Sequence, residues 1–236
     1  MNEFVRVPSE YVLDFTLDGL DMNSKDLSIL RPRKEFDWDD FYRQGTPSWD
    51  TGLLEPDLKR IIDSGMVKPC TALDIGCGSG IEAIYLAKRG FDVTAVDYSA
   101  MAVDRAFSRA RAQNAHLWIV RDDIFHFCMS SRKMQFDFVY DIGFYHFIRK
   151  NHLGSYIDLL WRVTHSGSYF FVLAGSDEEE IDPEFAGQNF LPTVNKEDVF
   201  NELGTLFEMV EMKSGTIYSR ARKEPYKAWA CLFKRP

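Results

Sequence analysis

The sequence predicts an α/β protein, a doubly wound and mostly parallel sheet with helices on both faces. Three observations predict it. Short apolar runs alternate with helix-length amphipathic stretches from residue 71 to residue 173. The first run, LDI, opens directly into the glycines of GCGSG at residues 76–80. The composition, 45% hydrophobic and 27% charged over 236 residues, suits an ordinary globular chain with room for one larger domain or two small ones.

The elements follow in order. Residues 1–35 carry no clear period, so short helices and a loose arm both fit them. The chain then becomes aromatic-dense, FDWDDFYRQGTPSWDTG. Residues 1–50 are expected to form an arm and lid, and residues 51–236 the main domain. Residues 56–64 read as an amphipathic helix with Leu58, Ile61 and Ile62 on its apolar side. Strands are expected at 71–75, 92–96, 117–120, 136–140 and 169–173. Helices are expected at 81–89, closed by Gly90, at 99–114 with Ser99 as N-cap, and at 152–163. In the last of these, Leu153, Ile157, Leu160 and Trp161 share a face. Asn195 caps a short helix to Leu203. Residues 206–212 and 226–233 finish as a hairpin-like pair of strands.

Several functions are excluded or disfavoured. The net charge of −8 repels phosphate backbones, and the one basic cluster, Arg220, Arg222 and Lys223, is flanked by Glu224. No nucleic-acid partner is expected. No apolar run approaches the ~20 residues of a membrane span, and the start lacks a signal-peptide pattern. No membrane partner is expected. Cys70, Cys77, Cys128 and Cys231 are scattered, which reads as a reducing, cytoplasmic setting. No metal-ligand spacing is visible. The sequence does not reveal an oligomeric state.

Gly76, Gly78 and Gly80 fall at the carboxyl end of the first strand, where such sheets bind ligands. A phosphate-binding Walker loop is excluded, because Ile81 and Glu82 follow Gly80 in place of Lys and Ser/Thr. The dinucleotide fingerprint matches weakly. S-adenosylmethionine needs a close backbone approach and an acid for its ribose. Asp97, ending VTAVD, supplies such an acid, although NAD would use one there too. The acids of RDDIFHF follow the third strand, and FDFVYDIG ends the fourth.

LDIGCGSG, VTAVD, DDI and FDFVYDIG, in that order and spacing, resemble the class I S-adenosylmethionine-dependent methyltransferases over residues 50–236. WDDFYRQGTPSWDTG looks like the N-terminal segment of the thiopurine and thiol methyltransferase branch. FDFVYDIGFYHFI resembles that branch too, with Ile142-Gly143-Phe144 in place of its Arg-Gly-Cys stretch. The resemblance implies a Rossmann-like, seven-stranded sheet with an antiparallel last strand under an N-terminal helical, aromatic lid. It implies that Gly76, Gly78 and the backbone at Asp74 hold the methionine portion. Asp97, with Tyr98 beside it, would hold the ribose. Asp123, in preference to Asp122 before it, would contact the adenine amine and Ile124 its ring, although an acid there also serves as a helix cap, and Asp141 would lie near the methionine amine. Trp38, Tyr42 and Trp49 would close over the cofactor, although large aromatics also serve simply as core. Tyr145 and His146 follow the fourth strand and are the candidate catalytic pair, the histidine as a base of near-neutral pKa, although a buried histidine is more often structural.

The function expected is methyl transfer from S-adenosylmethionine to a small molecule by in-line displacement. The acceptor would be a thiol, a selenol or a heteroaromatic nitrogen or sulfur. The alternative keeps the cofactor but cyclises or cleaves it, releasing methylthioadenosine. Its motive is the bulky segment Phe144 to Phe147. A non-catalytic binding module and a nicotinamide-dependent dehydrogenase are the remaining readings.

Overall fold

The computed structural model describes residues 37–130, 134–180 and 191–236. Their strands form one seven-stranded sheet in the order β3-β2-β1-β4-β5-β7-β6. These are β1 Thr71–Ile75, β2 Asp92–Asp97, β3 Trp118–Arg121, β4 Phe136–Ile142, β5 Thr164–Gly175, β6 Glu208–Ile217 and β7 Tyr226–Lys234. The first five pair in parallel, and β7 runs antiparallel to both β5 and β6. The Rossmann-like sheet expected from the sequence is therefore present.

Side-chain alternation explains why both faces are covered. Leu73, Ile75, Val139, Phe170 and Val172 enter one core. Their neighbours Ala72, Phe138, Tyr140, Phe171 and Leu173 enter the other. A strand's period of two makes this division automatic. The first core is covered by α5 Ile124–Ser130, α6 Tyr145–Val163 and α7 Lys196–Leu203. The second is covered by α2 Pro56–Asp63, α3 Ile81–Ala87 and α4 Ala100–Ala112.

Local chemistry sets the helix starts. Pro56 stands at the first position of α2, where its missing N–H costs nothing, and the Glu55 carboxylate accepts from the N–H of Asp57 and Leu58. Ser99 caps α4 by accepting from Ala102 N at 3.1 Å, and Asn195 caps α7 by accepting from Asp198 N at 2.7 Å. A short helix, α1 Trp38–Arg43, lies in the aromatic segment. Residues 1–36, most of the expected arm, lie outside the described residues.

Four details differ from the sequence reading. Helix α5 was not anticipated. Helix α6 begins at Tyr145, not residue 152, and its φ/ψ break at His152 marks a kink. Asp141 explains the early start, because its carboxylate accepts from the N–H groups of Phe144 and Tyr145 at 2.7 and 2.9 Å. Trp161 is half exposed, not on the apolar face of α6. Strand β6 continues to Ile217, which shortens the last loop. No helix among the described residues is long and apolar enough to cross a membrane.

The sheet's strand order reverses between β1 and β4, so the segments leaving their carboxyl ends flank a switch point. Asp141 sits there, fully buried, and also accepts from the Tyr156 hydroxyl at 2.6 Å. Tyr156→Phe removes one donor from a buried carboxylate. Urea unfolding is expected to show a loss of about 1–3 kcal/mol, and an unchanged midpoint would contradict that role.

Candidate functional site

The turn after β1 is built for close approach. Gly76, Gly78 and Gly80 have φ of +70°, +53° and +75°, a left-handed region that glycine enters without strain. Gly76 N and Cys77 N donate to Val96 O at 3.0 Å, which fastens the turn to β2. A Cβ at Gly76 would stand 3.6 Å from Phe144, and one at Gly78 would stand 3.4 Å from the Tyr42 hydroxyl. A Cβ at Gly80 would press Ala106 at 3.0 Å, so that glycine serves helix packing.

Asp97 ends β2 beside this turn. One carboxylate oxygen accepts from Gly78 N and the other from Ser99 N, each at 2.8 Å. Burial outweighs these bonds and pushes its pKa up to about 6. Tyr98 next to it is exposed. Asp74 lies on the same sheet face as Tyr140, with which it is in register. Burial, then Glu82, holds the Asp74 carboxyl well above its ordinary range. Asp74 Oδ2 and the Tyr140 hydroxyl are both buried and face each other, with no further hydrogen-bond partner among the described residues. Burial also raises Glu82 and Glu55 to about 7, and Glu55 N donates to Glu82 Oε1 at 3.2 Å. The site thus gathers acids that are hard to ionise without a cation.

The aromatic segment lies over this turn. The Trp49 ring meets Trp38 at 5.6 Å, Phe41 at 5.1 Å and Tyr42 at 6.4 Å. Trp38 packs edge-on against Phe147 of α6 at 5.3 Å. Tyr42 is buried, and burial pushes its phenol well up.

A polar latch, which sequence reasoning missed, holds this segment down. Buried Asp50 accepts from Ser79 Oγ of the glycine turn at 2.8 Å and pairs with Arg105 and Arg109 at 3.7 and 3.6 Å. Arg105 donates to Gly45 O at 2.6 Å and Tyr42 O at 3.1 Å. Arg220 N donates to Ser48 O at 2.7 Å. Asp39 accepts from the Ser99 hydroxyl, beside Asp97. The i, i+4 spacing of Arg105 and Arg109, which puts both on one face of α4, and the position of Arg220 in the final loop were the available signals. A cleft of about 620 Å³ lined by these arginines lies on the latch, not at the glycine turn.

The remaining candidates divide. Asp123 accepts from Phe125 N at 2.8 Å and so caps α5, and burial raises its pKa. Asp122 pairs with His126 at 2.9 Å. Ile124 is buried beneath them. Asp141, raised to about 7 by burial, serves three donors of its own chain. Tyr145 turns away from the site, donating to Glu202 Oε2 at 2.6 Å, where Arg149 also bonds. His146 does not match the expected base. Complete burial lowers its pKa to about 3, and its Nδ1 already accepts from Gly175 N at 3.0 Å. Among the described residues no His/Cys/Asp/Glu group is arranged to hold a metal.

Residues 54–202 match the family described as tellurite resistance protein TehB. Hemagglutinin 1 of Eikenella corrodens is 29% identical over 111 residues, covering 47% of this chain and 36% of that protein. The probable S-adenosyl-L-methionine-dependent methyltransferase TehB of Haemophilus influenzae (strain 10810) is 24% identical over 122 residues, 51% of this chain and 42% of that one. The chain thus spans less than half the length of these curated relatives. A structural neighbour is Burkholderia thailandensis 1,6-didemethyltoxoflavin-N1-methyltransferase, solved with 1,6-didemethyltoxoflavin and S-adenosylhomocysteine. It has a TM-score of 0.68 at 16% identity and covers 92% of each chain.

The acids make stability depend on pH. Glu55, Glu82, Asp97 and Asp141 all have folded pKa values above their ordinary ones. The folded chain therefore binds more protons than the unfolded chain between pH ~4 and ~7, and stability falls as pH rises through that window. Asp74 and Asp123 are raised as well, and His146, lowered by burial, opposes the trend. Urea titrations at pH ~4.5 and ~7.5 are expected to give the lower unfolding free energy at the higher pH, and Glu82→Gln should flatten the fall. A rise with pH would contradict the burial of these acids.

Proposed function

This chain belongs to the family of tellurite resistance protein TehB, and we propose that it transfers the methyl group of S-adenosylmethionine to a small molecule. One observation carries the reading. A glycine turn, a strand-end acid and a buried carboxyl that faces only the Tyr140 hydroxyl meet at the switch point beneath a latched aromatic segment. The site fits this cofactor. Its ammonium and sulfonium charges suit acids with raised pKa values, and bare Cα atoms at Gly76 and Gly78 admit it closely.

When bound, the cofactor supplies an electrophilic methyl group. The backbone of Gly76 and Gly78, with Asp74, holds the methionine end. Asp97 receives the ribose hydroxyls beside Tyr98. Asp123 and Ile124 take the adenine. Asp141 acts indirectly, fixing the turn at Phe144 and Tyr145. Trp38, Tyr42 and Trp49 keep water out, and aromatic faces attract a cation by about 0.5–2 kcal/mol each. Catalysis then rests on proximity and alignment.

The proposed acceptor is a thiol, a selenol or a heteroaromatic nitrogen or sulfur, a class that needs little help losing a proton. The resemblance of WDDFYRQGTPSWDTG to the thiol methyltransferase branch supports it.

Mass spectrometry of the protein incubated with S-adenosylmethionine and a panel of thiols, selenols and heteroaromatic amines tests the reading. S-adenosylhomocysteine formed only with an acceptor is the expected outcome. Methylthioadenosine formed without one would replace methyl transfer by breakdown of the cofactor.

A further inference from the structure

His146 is 1% exposed, and its Nδ1 accepts the Gly175 N–H at 3.0 Å. An accepting Nδ1 carries the lone pair, so the neutral ring bears its proton on Nε2. That Nε2–H has no partner among the described residues. An unpaired buried donor costs about 1–3 kcal/mol, and such groups concentrate where a ligand will satisfy them.

The donor has a definite direction. Gly143, just past β4, has φ +97°. A Cβ there would lie 3.6 Å from His146 Cε1 and 3.8 Å from Nε2, and no other described atom beyond its chain neighbours comes within 4 Å. The imidazole edge thus faces the bare side of Gly143, between the carboxyl ends of β4 and β5. Phe147, 4.8 Å from the imidazole, carries Trp38 of the aromatic segment against it. Gly143 stands two residues beyond Asp141 and one before Phe144, the ring that faces Gly76. Nearby groups offer no free base. Asp141 serves three donors, and the Tyr145 hydroxyl is committed to Glu202.

We propose that His146 anchors the methyl acceptor, its Nε2–H donating to a lone pair or anionic atom of an acceptor that arrives already deprotonated. This rests on the methyltransferase reading and narrows it to acceptors that are ionised, or carry a free lone pair, near neutral pH. For a thiolate the step balances without a proton. The thiolate pair forms the new C–S bond, the sulfonium–methyl bond breaks with its pair returning to sulfur, and both charges vanish. Burial keeps the imidazole neutral throughout, with no charged neighbour contributing to its lowered pKa of about 3. A neutral donor orients an anion without giving up its own proton to it.

Two variants separate the ring's two nitrogens. In His146→Asn the amide oxygen can still accept from Gly175 N, but the donor at the Nε2 position is lost. In His146→Gln an amide N–H reaches that position, while the Gly175 bond is lost. With thiophenol as probe, His146→Asn is expected to raise KM roughly 10- to 100-fold with kcat within a few-fold. His146→Gln should keep KM within a few-fold at a lower melting temperature. Long-range ¹H–¹⁵N spectra of the complex with S-adenosylhomocysteine should show the proton on Nε2 from pH ~5 to ~8, shifting when thiophenol is added. A purely structural histidine would leave His146→Asn unaffected. A general base would cost both variants kcat and give kcat/KM a protein limb near neutral pH. Either result overturns the proposal, as does a proton on Nδ1 or an Nε2–H that thiophenol does not move. Loss of S-adenosylmethionine binding to the unmodified protein would instead sink the wider reading.

Discussion

Burying carboxylates beside one another is costly, and the site is arranged around that constraint. Asp74, Glu82, Asp97 and Glu55 surround the start of α3, and burial raises the pKa of each. Backbone N–H groups compensate some of them. Gly78 and Ser99 serve Asp97, and Asp57 and Leu58 serve Glu55. Arg109 offsets Glu82 in part. Asp74 is left with Tyr140 beside it and an unpaired oxygen. Acids held this way favour a cationic ligand over a phosphate, and so distinguish a sulfonium cofactor from a dinucleotide on the same fold.

The aromatic segment is coupled to that turn through polar contacts. Ser79 belongs to the glycine turn, yet its hydroxyl bonds Asp50 of the segment and its carbonyl accepts from Arg109 at 2.9 Å. Asp39 reaches Ser99, the cap of α4, two residues after Asp97. The same α4 that packs against Gly80 therefore carries the arginines that hold the segment. A change in the turn would be felt at Asp50 and at Trp49 beside it.

Most of the fold was legible because its signals are local. Strands β1 to β5 and β7 each show an apolar run, and Gly76, Gly78 and Asp97 stand at the ends of such runs. Helix α5 was hidden because IFHFCMS is short and apolar throughout, a pattern that periodicity cannot assign to helix or strand. The early start of α6 depends on Asp141, three residues ahead of an aromatic run with little helical signal of its own. The latch joins residues 50, 79, 105, 109 and 220, which only the folded chain brings together. The histidine was read as a base because sequence reveals residue type and not protonation. Its tautomer is set by Gly175, 29 positions away.

Calorimetric titration tests the cation-selecting cofactor site most directly. S-adenosylmethionine and S-adenosylhomocysteine are predicted to bind at one site per chain. The charged sulfonium form should gain affinity relative to the neutral thioether as pH rises through ~6 to ~7 and the buried acids ionise. Failure to bind either compound, or a preference for a nicotinamide dinucleotide, would contradict it.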